Sequence, residues 1–205
     1  MHALHDLLCA FSFPINGISA SLIGVVLYFL LLPFVFKKCR PTNRVVWALL
    51  FAYVPVVLVL TLLPFPWTTA LAESYRLHHA QTAVNLIPLS ASLRLFHNSI
   101  PVFLRNVGGN FLLLLPLGFL LGVLNGRLGF LRMVLIGLLT SVCIESLQLL
   151  ENYLSGSLLH VVDVDDLIFN MMGCATGYGL QALMKTIRRR KGLSRPKSGP
   201  AGIEN

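Results

Sequence analysis

The chain has 205 residues, of which 56% are hydrophobic and only 12% are charged, and its mean hydropathy is +0.77. Soluble domains carry about 25% charged residues, so this composition excludes an ordinary water-soluble protein. The net charge of +8 would by itself be compatible with a nucleic-acid partner. However, no aromatic residues alternate with the basic ones, which argues against nucleic-acid binding. The composition therefore predicts a protein with several membrane-spanning helices.

Five apolar runs are long enough to cross a hydrocarbon core of about 30 Å, since a helix rises about 1.5 Å per residue. Hydropathy places these spans at residues 16–36, 45–63, 106–124, 129–150 and 164–184. Pro33, Pro55 and Pro116 would lie inside spans, where neighbouring helices can satisfy the freed backbone groups. The predicted fold class is an all-α membrane protein, a bundle of about five transmembrane helices.

The positions of the basic residues predict the orientation of this bundle. With five spans, all but three of the 16 lysines and arginines fall on one side of the membrane, at residues 37–44, 127–132 and 185–197. The positive-inside rule places that side in the cytoplasm. We therefore expect the N-terminus outside and the C-terminus in the cytoplasm. An even number of spans would break this agreement.

The chain divides into four predicted segments. Residues 1–15 form a short external N-terminus, and residues 16–44 contain the first span and a basic cytoplasmic loop. Residues 45–184 form the main transmembrane domain, which includes an external loop at 64–105. Within that loop, AVNLIPL is apolar but too short to span, which indicates an interfacial or re-entrant segment. Residues 185–205 form a basic, disordered cytoplasmic tail.

Acidic residues lead into the fifth predicted span. Asp163, Asp166 and Asn170 have i, i+3, i+7 spacing and therefore share one helix face, whereas Asp165 points away, toward the lipid head groups. The same face continues into two small residues, Gly173 and Gly177. Small residues four positions apart allow a second helix to approach closely. One helix face thus combines polar groups with a helix-packing surface.

Two other predicted spans carry polar residues at a similar depth from their outer ends. The fourth span has Glu145 and Gln148 on one face, with Ser141 one turn deeper. The third span has three such residues, Arg105, Asn106 and Asn110. A charge at the centre of a membrane helix costs about 2.5–3.5 kcal/mol, so an intramembrane glutamate indicates a functional site by default. The sequence predicts a polar pocket that opens toward the outer side.

Structural roles for the same residues remain open at this point. Asp163 and Asp166 can cap the N-terminus of the fifth helix. Glu145 can pair with Arg105 between two helices, an arrangement that often adds little net stability. The amide side chains can form interhelical hydrogen bonds, worth about 0.6 kcal/mol on average. The convergence of these residues on one depth favours a ligand site.

Four motifs carry a resemblance to a known family. They are VNLIPL, RNVGGNFLLLLPLGFLLG, SVCIESLQ and DVDDLIFNMMGCATGYG, in that order. Over residues 45–184 the chain resembles the VanZ-like family of small bacterial membrane proteins. The resemblance implies a multi-pass protein of the bacterial inner membrane. The family's namesake is linked to resistance to the lipoglycopeptide antibiotic teicoplanin.

One position departs from the family pattern. His160 stands where the family usually has an arginine. If that arginine contacts an anion, His160 can do so only when protonated, near or below its unperturbed pKa of about 6.5. This difference predicts a member with a different ligand or pH response.

The first functional hypothesis is binding without catalysis. The protein would bind or modulate a cell-envelope lipid precursor or a lipoglycopeptide, so a membrane lipid or lipid-linked precursor is the expected partner and no cofactor is needed. Arg105 would contact an anion, and the amides would orient the ligand. The full set of predicted ligand-binding residues is Asn85, Arg105, Asn106, Asn110, Glu145, Gln148, His160, Asp163, Asp166 and Asn170.

The second hypothesis is an intramembrane enzyme that modifies a lipid-linked substrate. Glu145 and Asp166 could act as a general acid/base pair. Alternatively, Glu145, Asp163, Asp166 and His160 could hold a divalent metal. The sequence has no nucleophile motif or metal-ligand spacing, so binding is favoured and no metal is expected. A transporter is disfavoured because the inner halves of the last three spans are almost all apolar and because the five spans show no evident repeat.

Overall fold

The computed structural model describes residues 17–36, 39–62, 84–155 and 160–191. In these ranges the regular secondary structure is helical apart from one pair of two-residue strands, which confirms the all-α prediction. The helices are α1 (Gly17–Leu31), α2 (Pro41–Leu62), α3 (Ser90–Asn98), α4 (Ile100–Leu124), α5 (Phe130–Ser155) and α6 (Val164–Arg190). The strands are β1 (Val84–Asn85) and β2 (Val162–Asp163).

The apolar helices identify a membrane protein. Within the described ranges, three helices are long and apolar enough to span a membrane, namely α2, α4 and α5 as far as Tyr153. A shorter apolar stretch, Ala20–Leu31, belongs to α1. Helix α6 has 27 residues, with two aspartates in its first turn and three arginines in its last. Those charges complement the helix dipole at both ends. The five-span count and the orientation stay predictions.

The helix boundaries differ from the predicted spans at several prolines. Helix α1 ends at Leu31 rather than at residue 36, so Pro33 lies outside the helix. The proline ring clashes with the carbonyl four residues earlier and lacks an N–H, which ends a regular helix. Pro55 and Pro116 lie inside α2 and α4, as predicted. Helix α4 begins at Ile100 rather than at residue 106, and its first-turn proline suits that position because no N–H is required there.

The described part of the predicted external loop has regular structure. The segment VNLIPL contributes β1 and the turn before α3, and β1 pairs in parallel with β2. In this register Val84 lies opposite Val162, and Asn85 lies opposite Asp163. The pairing places the segment beside the start of α6. The predictions for residues 1–15, for the first part of the loop at 64–83 and for the tail at 192–205 fall outside the described residues.

Glycines bring α6 into close contact with α4. A Cβ atom on Gly173 would lie 1.9 Å from the carbonyl oxygen of Phe111, and one on Gly177 would lie 2.0 Å from that of Leu115. The predicted small-residue face is therefore confirmed, and α4 is its partner. Helix α6 also packs on α5, and the buried core draws side chains from four helices. These core residues are Val57, Leu114, Met133, Ile144 and Cys174.

Candidate functional site

The N-terminus of α6 is capped by a side chain that also holds β1. The Asp163 carboxylate accepts a hydrogen bond from the backbone N–H of Asp165 at 2.9 Å, and Asp163 is the N-cap of α6. Asn85 donates its side-chain N–H to the same oxygen at 3.0 Å. The Asn85 carbonyl oxygen in turn accepts from the Ser90 hydroxyl at 3.1 Å. The capping role is therefore correct for Asp163, and Asn85 joins it as a structural partner.

Asp165 is buried, so the prediction that it points toward lipid head groups is wrong. Its side chain is 1% exposed. One carboxylate oxygen accepts from the backbone N–H of Leu89, and the other accepts from the N–H and the hydroxyl of Ser92 at 3.0 and 2.6 Å. Leu89, the N-cap residue of α3, provides no side-chain cap of its own. Asp165, from helix α6, accepts the free N–H groups at the start of α3 instead. We call Asn85, Ser92, Asp163 and Asp165 the latch.

A second group of polar side chains joins three helices. Asn110 of α4 donates a hydrogen bond to Asp166 of α6. Asn170 of α6 donates to the Ser141 hydroxyl of α5 at 2.9 Å. Glu145 lies one turn beyond Ser141 on the same face of α5, within electrostatic reach of Asp166 and with the backbone N–H of Asp163 beside it. We call Asn110, Ser141, Glu145, Asp166 and Asn170 the acceptor cluster.

Two oxygens of the acceptor cluster are buried without a hydrogen-bond partner in the described part of the chain. They are Oε2 of Glu145 and Oδ1 of Asn170. The Glu145 side chain is 5% exposed, and that of Asn170 is 1% exposed. A buried polar atom without a partner costs about 1–3 kcal/mol. Asn110 and Asp166 are only half-buried and form the accessible edge of the cluster. The arrangement can therefore receive hydrogen bonds from a donor that enters at this edge.

The other predicted residues on α4 and α5 lie outside the acceptor cluster. Gln148 donates its side-chain N–H to the carbonyl oxygen of Thr61 at 2.9 Å and so ties α5 to α2. Arg105 and Asn106 are exposed. Among the described residues no ion pair joins Arg105 to Glu145. The structure thus gives Gln148 a helix-joining contact and leaves Arg105 away from the buried carboxyl.

His160 contacts a carboxyl group other than the predicted ones. Its ring Nε2 lies 3.1 Å from Oε2 of Glu151, and Asn152 hydrogen-bonds both the N–H and the carbonyl oxygen of the His160 backbone. Burial lowers the pKa of His160, which favours the neutral imidazole near pH 7. In the ranges that the structure describes, no three histidine, cysteine or acidic side chains are arranged to hold a metal. The metal alternative therefore finds no support in this geometry.

Comparison with known families agrees with the motif pattern. A family model described as VanZ/LLP1 matches residues 50–185. The chain belongs to the VanZ/LLP1 family. The latch and the acceptor cluster both lie inside the matched range of this VanZ/LLP1 protein. The comparisons with curated proteins and with solved structures gave no match.

Four polar residues of the VanZ/LLP1 region were missed or misjudged in the sequence. They are Ser92, Glu151, Asn152 and Asp165. Glu151 and Asn152 follow the apolar part of α5 directly, and both are buried. Two adjacent polar residues at the end of a span were a usable signal. No local signal in the sequence identified Ser92, because its partner Asp165 is 73 residues away in the chain.

Proposed function

We propose that this VanZ/LLP1 protein is a multi-pass protein of the bacterial inner membrane that binds a polar head group without catalysis. The ligand belongs to a cell-envelope lipid precursor or to a lipoglycopeptide of the teicoplanin type. The observation that carries the proposal is the pair of buried, unpartnered oxygens on Glu145 and Asn170. A ligand that supplies hydrogen-bond donors would satisfy both oxygens at once.

The chemistry of the acceptor cluster favours donor groups over anions. The amide N–H groups of Asn110 and Asn170 already donate to Asp166 and Ser141. The unpartnered atoms of the acceptor cluster are both acceptors in the described part of the chain, and the carboxyl groups of Glu145 and Asp166 lie within electrostatic reach of each other. Sugar hydroxyls, amide N–H groups and amines fit this arrangement, whereas the phosphate oxygens of a lipid head group would only add further acceptors. Arg105, expected from the sequence to contact an anion, is exposed. Recognition of donors therefore replaces recognition of an anion in this proposal.

An intramembrane enzyme is the second candidate. It is supported by the placement of Glu145 within electrostatic reach of Asp166. Two carboxyl groups in different surroundings are the usual arrangement for a general acid and a general base. The two candidates differ in outcome, because an enzyme releases an altered ligand and a binding protein releases the same one. Mass spectrometry of the ligand after incubation with the purified protein separates them.

The test of the binding proposal compares matched variants in a susceptible bacterial host. We expect the wild type to raise teicoplanin tolerance, and we expect Glu145→Gln and Asp166→Asn to lose this effect. Ser146→Ala is the control, since Ser146 is exposed next to Glu145 and its hydroxyl contacts only its own helix in the described structure. Membrane fractionation verifies that each variant inserts. Full tolerance with an inserted Glu145→Gln variant would contradict the proposal for teicoplanin.

A binding measurement on the purified protein covers the lipid precursor. The full chain in nanodiscs is titrated with a fluorescent lipid-linked disaccharide precursor and with teicoplanin. An ordinary hydrogen bond is worth about 0.5–1.5 kcal/mol, so Glu145→Gln should weaken binding roughly 2- to 12-fold. If neither ligand binds the wild type, or if both bind the variant equally well, the acceptor cluster is not the binding site.

A further inference from the structure

A cavity with a basic wall lies between α4 and α6, far from the acceptor cluster. Its volume is about 450 Å³. Along α6, Asn170 and Arg188 are separated by roughly 25 Å at about 1.5 Å per residue, so the two sites are distinct. Apolar side chains form one part of the wall, namely Phe119, Val123 and Met184. Cationic side chains form the other part, namely Lys185, Arg188 and Arg189.

The cavity lies where the apolar part of α4 ends. Helix α4 is one of the helices able to span a membrane, and it ends at Leu124. Immediately beyond, the carbonyl oxygen of Gly126 accepts a hydrogen bond from Lys185 Nζ at 3.4 Å. Phe119 and Val123 are on the last turns of α4, and they face the basic end of α6. The cavity thus lies where the apolar side chains of α4 give way to basic ones, which is the arrangement expected at a boundary between acyl chains and lipid head groups.

The charges of the cavity indicate an anionic occupant. No acidic side chain is among its lining residues, and within the described chain neither Arg188 nor Arg189 has an ion-pair partner. Guanidinium groups bind phosphate oxygens with two parallel hydrogen bonds. Basic pockets between membrane helices are suited to anionic head groups. A free phosphate would leave the apolar wall without a contact, and a neutral lipid would leave the basic wall without a counter-charge.

We propose that this cavity binds an anionic phospholipid. Its phosphate contacts Arg188 and Arg189, and the start of an acyl chain packs on Phe119 and Val123. Both walls of the cavity are then used by one molecule. The site is independent of the acceptor cluster, so either proposal can fail without the other.

The test is native mass spectrometry of the full-length chain released from neutral detergent. Phosphatidylglycerol and phosphatidylcholine with the same acyl chains are compared, and we expect preferential retention of phosphatidylglycerol. The double variant Arg188→Gln/Arg189→Gln should weaken this retention about 25-fold, on a scale of about fivefold per basic residue at an anionic lipid surface. The control is Arg190→Gln/Lys191→Gln, which removes the same charge from adjacent residues that do not line the cavity. We expect the control to keep the preference.

Four further outcomes decide against the proposal. Equal loss in the control pair would show diffuse attraction to the basic helix end. Displacement of the lipid by an equal concentration of inorganic phosphate or glycerol phosphate would show a phosphate site without a lipid contact. Val123→Trp fills the cavity and leaves the charge unchanged, so undiminished retention in this variant would overturn the role of the cavity. Equal retention of both lipids by the wild type would also overturn the proposal, because it would show no preference for an anionic head group.

Discussion

The buried carboxylate of Asp165 is the most direct test of how the latch works. Leu89 N–H donates to one of its oxygens, and Ser92 donates to the other. Asp165→Asn keeps the shape of the side chain but replaces one oxygen with an NH2 group. One backbone N–H, of either Leu89 or Ser92, must then face another donor. We expect this substitution to release the segment 84–98 from the start of α6.

The size of the effect follows from these hydrogen bonds. A hydrogen bond to a charged group is worth about 1.5–3 kcal/mol, and a buried donor left without a partner costs about 1–3 kcal/mol. The remaining oxygen keeps its contacts without the charge. We therefore expect docking of the segment 84–98 to weaken by about 2–4 kcal/mol, which raises its open population roughly 30- to 700-fold.

Hydrogen exchange of the purified protein in detergent measures this opening directly. Amides of α3 in Asp165→Asn should exchange faster by that factor, while amides in the middle of α5 serve as an internal reference. Ser92→Ala is the matched control, because it removes only the hydroxyl contact and keeps both N–H contacts. It should weaken docking by about 0.5–1.5 kcal/mol. Unchanged exchange of α3 in Asp165→Asn, or an equal change in Ser92→Ala, would refute this account.

Two further predictions concern helix packing and pH. Gly173→Leu or Gly177→Leu should lower the stability of the folded bundle by more than about 3 kcal/mol, because either side chain would overlap α4. Gly179→Ala is the control, since a Cβ at this position meets open space and should stabilise the helix by up to about 1 kcal/mol. Equal thermal midpoints for the leucine variants and the control would contradict the close contact between α4 and α6. Burial lowers the pKa of His160, so the unfolded chain binds more protons below about pH 6.5 and stability should fall as pH falls through that value. The His160→Gln variant should lose the part of this fall in stability that comes from His160, although the carboxyl group of Glu151 is still present. Thermal midpoints of the wild type and of His160→Gln between about pH 5 and 7.5 measure this difference. Identical pH profiles for the two proteins would refute the contribution of His160.

Much of the helical framework was predictable because its signals are local. Apolar runs located α2, α4, α5 and α6, and glycine spacing identified the face of α6 that packs on α4. The convergence of Asn110, Glu145 and Asp166 followed from helical periodicity and from similar depth in three spans. The amphipathic helix α3 was not predicted, since it is only nine residues long and its own residues form no continuous apolar run. The role of the acceptor cluster as a binding site stays a prediction.

The side-chain partners are what the sequence could not provide. Periodicity placed Asp165 on the opposite face from Asp163 and therefore suggested exposure. The structure buries it, because the segment after β1 returns to the start of α6 and covers that face. His160 likewise contacts Glu151 rather than the aspartates that follow it. In each case the answer depends on how a connecting segment packs, which hydropathy does not encode.

The sequence by itself determined that this is a helical membrane protein, which family it resembles, and which helix faces carry polar and small residues. These properties follow from composition and from the 3.6-residue period of the helix. Only the tertiary structure decided which polar groups have hydrogen-bond partners and which buried oxygens lack one. Asn85, Asp163 and Asp165 have partners, whereas one oxygen each of Glu145 and Asn170 has none among the described residues. The physical reason is that a hydrogen bond requires two specific atoms within about 3 Å, and here those atoms come from segments as many as 87 residues apart.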